Sequence, residues 1–174
     1  MGRQIVLVIL VILAARGAYA DSPGPPLLRA AFLYTFAIFT EWPAEEAGDP
    51  ITLCVVDEAP VAAALTQIVA GRSVLGRAIT VRVATAGNLR ACHVLYLPGA
   101  NVARALAEVS GARILTIGDG AAFVGQGGMA GLYLEGERMR FAVNPESAAR
   151  AGVRLSSRLL GLARIVKDEP HVQP

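Results

Sequence analysis

The chain has 174 residues, of which 16 are Lys or Arg and 14 are Asp or Glu, for a formal net charge of +2. No run of basic residues punctuates it, so the electrostatic footprint of a nucleic-acid binder is absent. Hydrophobic residues make up 54%, which argues against a disordered chain and provides for one full core, while the length is short for two domains.

Residues 1–20 have the layout of a cleaved secretory signal. Arg3 is the basic start, 5–15 is an apolar run, and Ala18 and Ala20 bracket Tyr19. The run is about 11 residues against the roughly 20 that a spanning helix needs, and Arg16 interrupts it. Loss of Arg3 and Arg16 with the signal brings basic and acidic residues into balance. The expectation is a periplasmic, soluble protein. Residues 21–26, DSPGPP, then read as a flexible linker.

The next segment is the richest in information. Residues 29–43, RAAFLYTFAIFTEWP, predict a helix over 27–41 that is apolar almost all the way round. A surface helix normally keeps one polar face. At 100° per residue, Leu28, Phe32, Phe36 and Phe39 form one stripe, expected to pack on a sheet. Ala30, Tyr34, Ala37 and Ile38 form a second, flatter strip, with Glu41 at its end and Trp42 on the flank. Tyr and Trp are favoured interface anchors, so Tyr34, Ile38, Glu41 and Trp42 are the candidate partner-binding residues. The strip is expected to meet a partner: a second copy giving a homodimer, a different protein, or both.

Beyond a loop over 44–49, Ile51–Val56 predicts a buried strand. Pro60 opens a helix in its first turn and Gly71 ends it. Residues 78–83 alternate as a half-exposed strand does, and 93–97 reads as a buried one. Asn101 stands where an N-cap would for a helix over 102–109, with a strand over 113–117 after it. Residues 118–128 are a glycine-rich loop around Phe123. Residues 129–134 and 138–143 predict a hairpin about Glu135-Gly136-Glu137. Helices are expected over 145–151 and 157–166, and a polar tail over 167–174. Of the last segment, Leu155, Leu159, Leu160, Leu162, Ile165 and Val166 are assigned to the core, while Arg150, Arg154, Arg158 and Arg164 line other faces. This order specifies a single α/β domain over 27–166. Its central sheet is mostly parallel with a C-terminal antiparallel hairpin, and helices flank it.

Cys54 lies inside the first strand and Cys92 just before the third. In an oxidising compartment such a pair is expected to form a disulfide. Closing a loop of about 39 residues contributes roughly 4 kcal/mol in the chain-entropy model.

Little speaks for catalysis. The two histidines are His93, at a strand start, and His171, in the tail. With both thiols bridged, no cluster with metal-ligand spacing remains. Ser156 and Ser157 sit where a helix begins and read as capping residues. The glycines of 118–128 lack the lysine of a phosphate-binding loop. No catalytic residue, metal or cofactor is expected. The carboxyl ends of the strands, at Asp57-Glu58, Pro98-Gly99 and Gly118-Asp119, leave a second reading open, a small-molecule-binding sensor with a different membrane partner.

The ordered set RAAFLYTFAIFTEWP, GRSVLGRAITV, ACHVLYLP, ILTIGD, FVGQGGM and MRFAVNPESAARAGVRLSSRLLGLARIV resembles the YfiR-like family of periplasmic regulators, over about residues 29–166. The resemblance implies an α/β domain. It also implies binding to the periplasmic sensor domain of an inner-membrane diguanylate cyclase, which restrains cyclic di-GMP signalling and biofilm formation. Two departures stand out. Relatives usually carry Asn at the position of Thr35 and often a basic residue at that of Ile38, so this helix is the more apolar. Some relatives have a second cysteine pair, absent here.

Overall fold

A computed structural model describes residues 25–42, 49–99 and 101–168. The predicted signal over 1–20, most of the predicted linker, residues 43–48, residue 100 and residues 169–174 lie outside the described residues.

Helix α1 spans Pro26–Ile38 and strand β1 Thr40–Glu41. The first long strand is β2 (Ile51–Val56), followed by α2 (Ala59–Val69), β3 (Ser73–Val74) and β4 (Arg77–Ala84). After a 3-10 turn at Leu89–Ala91 come β5 (Val94–Leu97), α3 (Val102–Glu108) and β6 (Leu115–Asp119). A second 3-10 turn, Ala121–Gln126, leads to β7 (Ala130–Glu135) and β8 (Arg138–Val143). The chain closes with α4 (Pro145–Arg150), β9 (Arg154–Leu155), α5 (Ser157–Leu160) and β10 (Arg164–Ile165).

Eight strands form one sheet in the order β10-β8-β7-β6-β5-β2-β4-β3. The pairs linking β4, β2, β5, β6 and β7 are all parallel, while β7–β8 and β3–β4 are antiparallel. The mostly parallel α/β sheet with its C-terminal hairpin is as expected. Taken along the chain, the five parallel strands lie in the order second, first, third, fourth, fifth, which is one of the two common doubly wound arrangements. The chain reverses its winding between β2 and β5.

Because helices cover both faces, the central strands are apolar on both sides. Side chains alternate between two cores. Ile51, Leu53, Val55, Val94, Tyr96, Leu115 and Ile117 join α1 and α2 on one face. Cys54, Leu95, Leu97 and Phe123 join Val102, Ala105 and Leu106 of α3 on the other. The predicted bridge is present: Cys54 and Cys92 are disulfide-bonded, with a Cα–Cα distance of 5.8 Å. It ties the β4–β5 crossover to β2, the strand that it passes.

The glycine-rich loop has a packing function. Phe123 is buried between Gly118 and Gly128, and a Cβ on either glycine would stand 2.1 Å from a ring carbon. The loop folds over the second core because only glycine leaves room for the ring.

Three expectations are corrected. The helix over 157–166 is only the single turn α5, capped by Ser156, whose hydroxyl accepts from the Leu159 amide at 3.3 Å. The chain then straightens into β10, where Arg164 pairs with Ala142 and Ile165 with Val143. The open edge of β8 offers ladder bonds that a second helical turn would forgo. As a consequence Leu162 and Ile165 are exposed rather than core residues. The pairing of β1 with β9, Thr40 against Leu155 and Glu41 against Arg154, is a further tertiary contact that was not anticipated. Finally, Asn101 precedes α3 in a left-handed conformation, φ 71°, and its side chain makes no capping bond.

Candidate interaction surface on the first helix

Helix α1 is held at both ends. Near its start stands Arg29, 5% exposed. Its Nη1 donates to the Tyr96 hydroxyl at 2.9 Å, and that hydroxyl donates to Asp119 Oδ1 at 2.6 Å. The same Nη1 lies 3.6 Å from carboxylate oxygens of Glu58 and Asp119. These partners come from the carboxyl ends of β2, β5 and β6, so one guanidinium anchors the helix to three strands. Burial works against the charge on Arg29. The hydrogen bond to Tyr96 and the two carboxylates outweigh it, and the pKa lies above its ordinary value. Tyr96 is pushed up as well, first by burial and then by its bond to Asp119. It therefore stays a neutral phenol that accepts from Arg29 and donates to Asp119.

At the other end, the Thr40 hydroxyl donates to the Phe36 carbonyl at 2.8 Å, and the Trp42 indole N–H donates to the Ala37 carbonyl at 2.9 Å. Trp42 is buried, edge-on to His93 at 5.6 Å between ring centroids. His93 Nδ1 accepts from the Thr52 amide. Trp42 thus closes the helix rather than facing solvent, and of the four candidate residues it is the one enclosed by the fold. Burying the indole satisfies its single donor and removes a large apolar area from water.

The two predicted stripes are rotated. The face turned to the core is Arg29, Ala30, Leu33, Phe36 and Ala37. The small Ala30 and Ala37, assigned to the open strip, let α1 come close to α2, whose Val61, Ala62 and Leu65 share their core. Phe32 and Phe39, assigned to the core, lie on its margin. Tyr34 is half-buried, with the Arg72 guanidinium 5.6 Å above its ring. Ile38 is 43% exposed, with exposed Leu27 on the same side of the helix. Glu41 is exposed and paired with Arg154 at 3.1 Å.

Beside this exposed side runs an open groove of about 630 Å³ between α1, β8 and α5. Phe32, Phe39, Met139, Phe141 and Leu162 make it apolar, and Arg140 and Arg158 stand at its rim. Phe32 and Phe36 meet Phe141 edge-on at 5.9 and 5.2 Å, so the floor is rigidly packed. Thr35, where the resemblance notes an Asn in relatives, also lines it. The exposure of Leu162 belongs to this groove, and sequence reasoning missed the groove because it depends on α5 ending early. Of the other arginines, Arg150 pairs with Asp168, and Arg154 pairs with Glu41. Among the described residues no group of His, Cys, Asp or Glu has the arrangement of a metal site. No described helix is long and apolar enough to cross a membrane.

Comparison with known proteins gives three results. Among solved structures, the chain is similar to a conserved domain protein from Vibrio cholerae O1 biovar El Tor str. N16961, at TM-score 0.54 and 11% identity. The match covers 83% of this chain and 60% of that one, so this protein spans less than two thirds of that neighbour, and the likeness is one of fold. No curated protein matches. The family model described as YfiR/HmsC-like matches residues 27–164, nearly all of the described fold. The chain belongs to the YfiR/HmsC-like family.

Proposed function

We propose that this protein is a non-enzymatic periplasmic regulator. It binds the periplasmic sensor domain of an inner-membrane diguanylate cyclase and so restrains cyclic di-GMP signalling. Membership of a family of periplasmic regulators supports the class of function. The observation that carries the binding mode is the groove beside α1, a rigid apolar trough with arginines at its rim. Such a surface suits an apolar segment of a partner with acidic residues flanking it. The disulfide suits an oxidising compartment. The proposed contact extends past the lining of the groove to the exposed Ile38, with Tyr34, which lies under Arg72, and Glu41, which pairs with Arg154.

The test is capture of the cyclase from solubilised membranes. Ile38→Asp should weaken capture by about tenfold or more, as expected for an interface anchor. Its thermal midpoint should stay near wild type, because surface changes are usually worth within about 0.5 kcal/mol. Cellular cyclic di-GMP should rise with the variant, and equally on deletion of the gene. Undiminished capture by a folded Ile38→Asp protein would remove this surface from the reading. Capture of no cyclase by the wild type would remove the circuit.

A further inference from the structure

The two edges of the eight-stranded sheet are finished differently. At one edge β10 is two residues long, carries Arg164 and is followed by Lys167 and Asp168. A short, charged edge of this kind discourages another strand from pairing with it. At the other edge β3 covers only Arg77 and Ala78 of β4, through Val74 and Ser73. Among the described residues no strand pairs with the outer side of β4 from Ile79 to Ala84. That stretch, Ile79-Thr80-Val81-Arg82-Val83-Ala84, is rich in β-branched residues and holds no proline, lysine or acid. It has the composition of a paired strand and lacks the usual means of keeping an edge unpaired.

Backbone direction decides which of these residues face outward. Thr52 of β2 turns both its polar groups toward β5: its amide donates to His93 Nδ1, and its carbonyl accepts from the His93 amide at 2.8 Å. Alternate residues of a strand bond to opposite neighbours, so Ile51, Leu53 and Val55 bond to β4. With Leu53 opposite Val81, their bonding partners are Ala78, Thr80, Arg82 and Ala84. The amides and carbonyls of Ile79, Val81 and Val83 therefore point away from the sheet. The side chains of these three share one face. Ile79 and Val81 are half-buried against the core under α1 and α2, and Val83 is 58% exposed. Thr80 and Arg82 lie on the other face.

We infer that the open edge of β4 is the contact with a second copy of this chain, whose β4 adds antiparallel about a two-fold axis at Val81. The strand selects this occupant because it is complementary to itself in one register. Two-fold pairing must set outward residues against outward residues. Centring on Arg82 places that arginine against its own copy. Centring on Thr80 brings the second copy's Val83 against Arg77, where Val74 of β3 already pairs. Centring on Val81 meets neither obstacle. It sets Ile79 against Val83, Val81 against Val81 and Val83 against Ile79, and each such pair exchanges both of its backbone bonds. On the other face Thr80 stands opposite Arg82, so no like charges meet. The main-chain bonds supply affinity and the side-chain pairs fix the register. The groove beside α1 borders β8, four strands from β4 in the sheet, so the dimer leaves it open. The test is independent of the proposed cyclase.

Sedimentation velocity of the mature protein should show reversible monomer–dimer exchange in the micromolar to sub-millimolar range, as expected for an interface below standard size. In a mixture of isotopically labelled and unlabelled protein, an intermolecular contact should join the Thr80 Hα of one copy to the Arg82 Hα of the other. Val81→Pro removes an amide that β2 does not use and should weaken association about tenfold or more. Thr80→Arg sets arginines against each other across the seam and should weaken it about threefold or more. Thr80→Glu should tighten association instead, a gain that high salt removes. Ile38→Asp should leave the dimer intact. A protein that stays monomeric at millimolar concentration overturns the inference. So does a dimer that folded Val81→Pro and both Thr80 variants leave unchanged, or one broken by Ile38→Asp, which would place the contact on α1. A monomer whose Val81→Pro variant loses capture of a membrane protein would assign the edge to a strand from that partner and overturn the second copy.

Discussion

Arg29 is the only formal charge from Pro25 to Phe39, and it points into the protein. Its aliphatic stem lies in the core while its head meets Tyr96, Glu58 and Asp119. Removing one member of such a buried cluster leaves the others uncompensated, which costs more than the cluster itself contributes. A lone arginine opening an apolar helix was a readable signal that a buried acid or phenol must exist. Which residues supply it was not readable, since Glu58, Tyr96 and Asp119 converge only when three strands align. Glu108 makes the complementary case at the surface. Its bonds to the Gly87 and Leu89 amides hold its pKa below the ordinary carboxylate value. A lowered folded-state pKa means that the stabilisation is complete above the unfolded pKa of glutamate and is lost as pH falls through the folded value. Thermal midpoints measured from neutral to acid pH should therefore fall less steeply for Glu108→Gln than for wild type. At neutral pH the variant should be the less stable of the two. A variant with an unchanged acid limb would show that the carboxylate does not brace the 87–89 turn.

At the scale of elements, pattern alone located strands well and faces poorly. Ile51–Val56 and Arg138–Val143 are found at the residues expected, because runs buried on both sides, or alternating about a two-residue turn, carry a strong local signal. The buried face of α1 is rotated from the stripe that 100° spacing predicts for the phenylalanines. Two alanines face α2, where closeness of approach matters more than volume, and two phenylalanines line the groove. The segment after Ser156 failed for another reason. Its helical pattern was real but short, and an open strand edge competed with it. The glycine-rich turn over Phe123 permits a direct test. Gly118→Ala places a methyl 2.1 Å from the ring, so Phe123 must leave its site or the strand must shift. Overpacking of this kind costs about 1–3 kcal/mol, and loss of the buried ring would add to it. Chemical denaturation should show a lower midpoint. Phe123→Leu in the same background should recover part of the loss, whereas unchanged stability of Gly118→Ala would mean that the loop is loosely packed.

For the molecule as a whole, the disulfide and the sheet act together. The bridge closes a separation of 38 residues and pins the crossover that reverses the winding. Replacing both cysteines, Cys54→Ala and Cys92→Ala, should lower stability by up to about 4 kcal/mol. Against the roughly 5–15 kcal/mol of a typical domain, that is enough to populate open states. Capture of the proposed cyclase partner should weaken in parallel if partner binding requires the closed fold. A double variant with wild-type stability and capture would make the bridge dispensable and exclude redox control through it.

Composition, periodicity and cysteine placement by themselves determined the α/β class, the alternation of strands and helices and the paired cysteines. Those are properties of local pattern, and local pattern is written residue by residue. Tertiary structure alone decided which side of α1 is open, where the last helix stops, and that β4 keeps an open edge. Each of these depends on competition between distant segments for the same surface or ladder bond. Ile38 shows both halves: its apolar character was plain in the chain, but its exposure was settled by the two alanines that turn the helix toward α2.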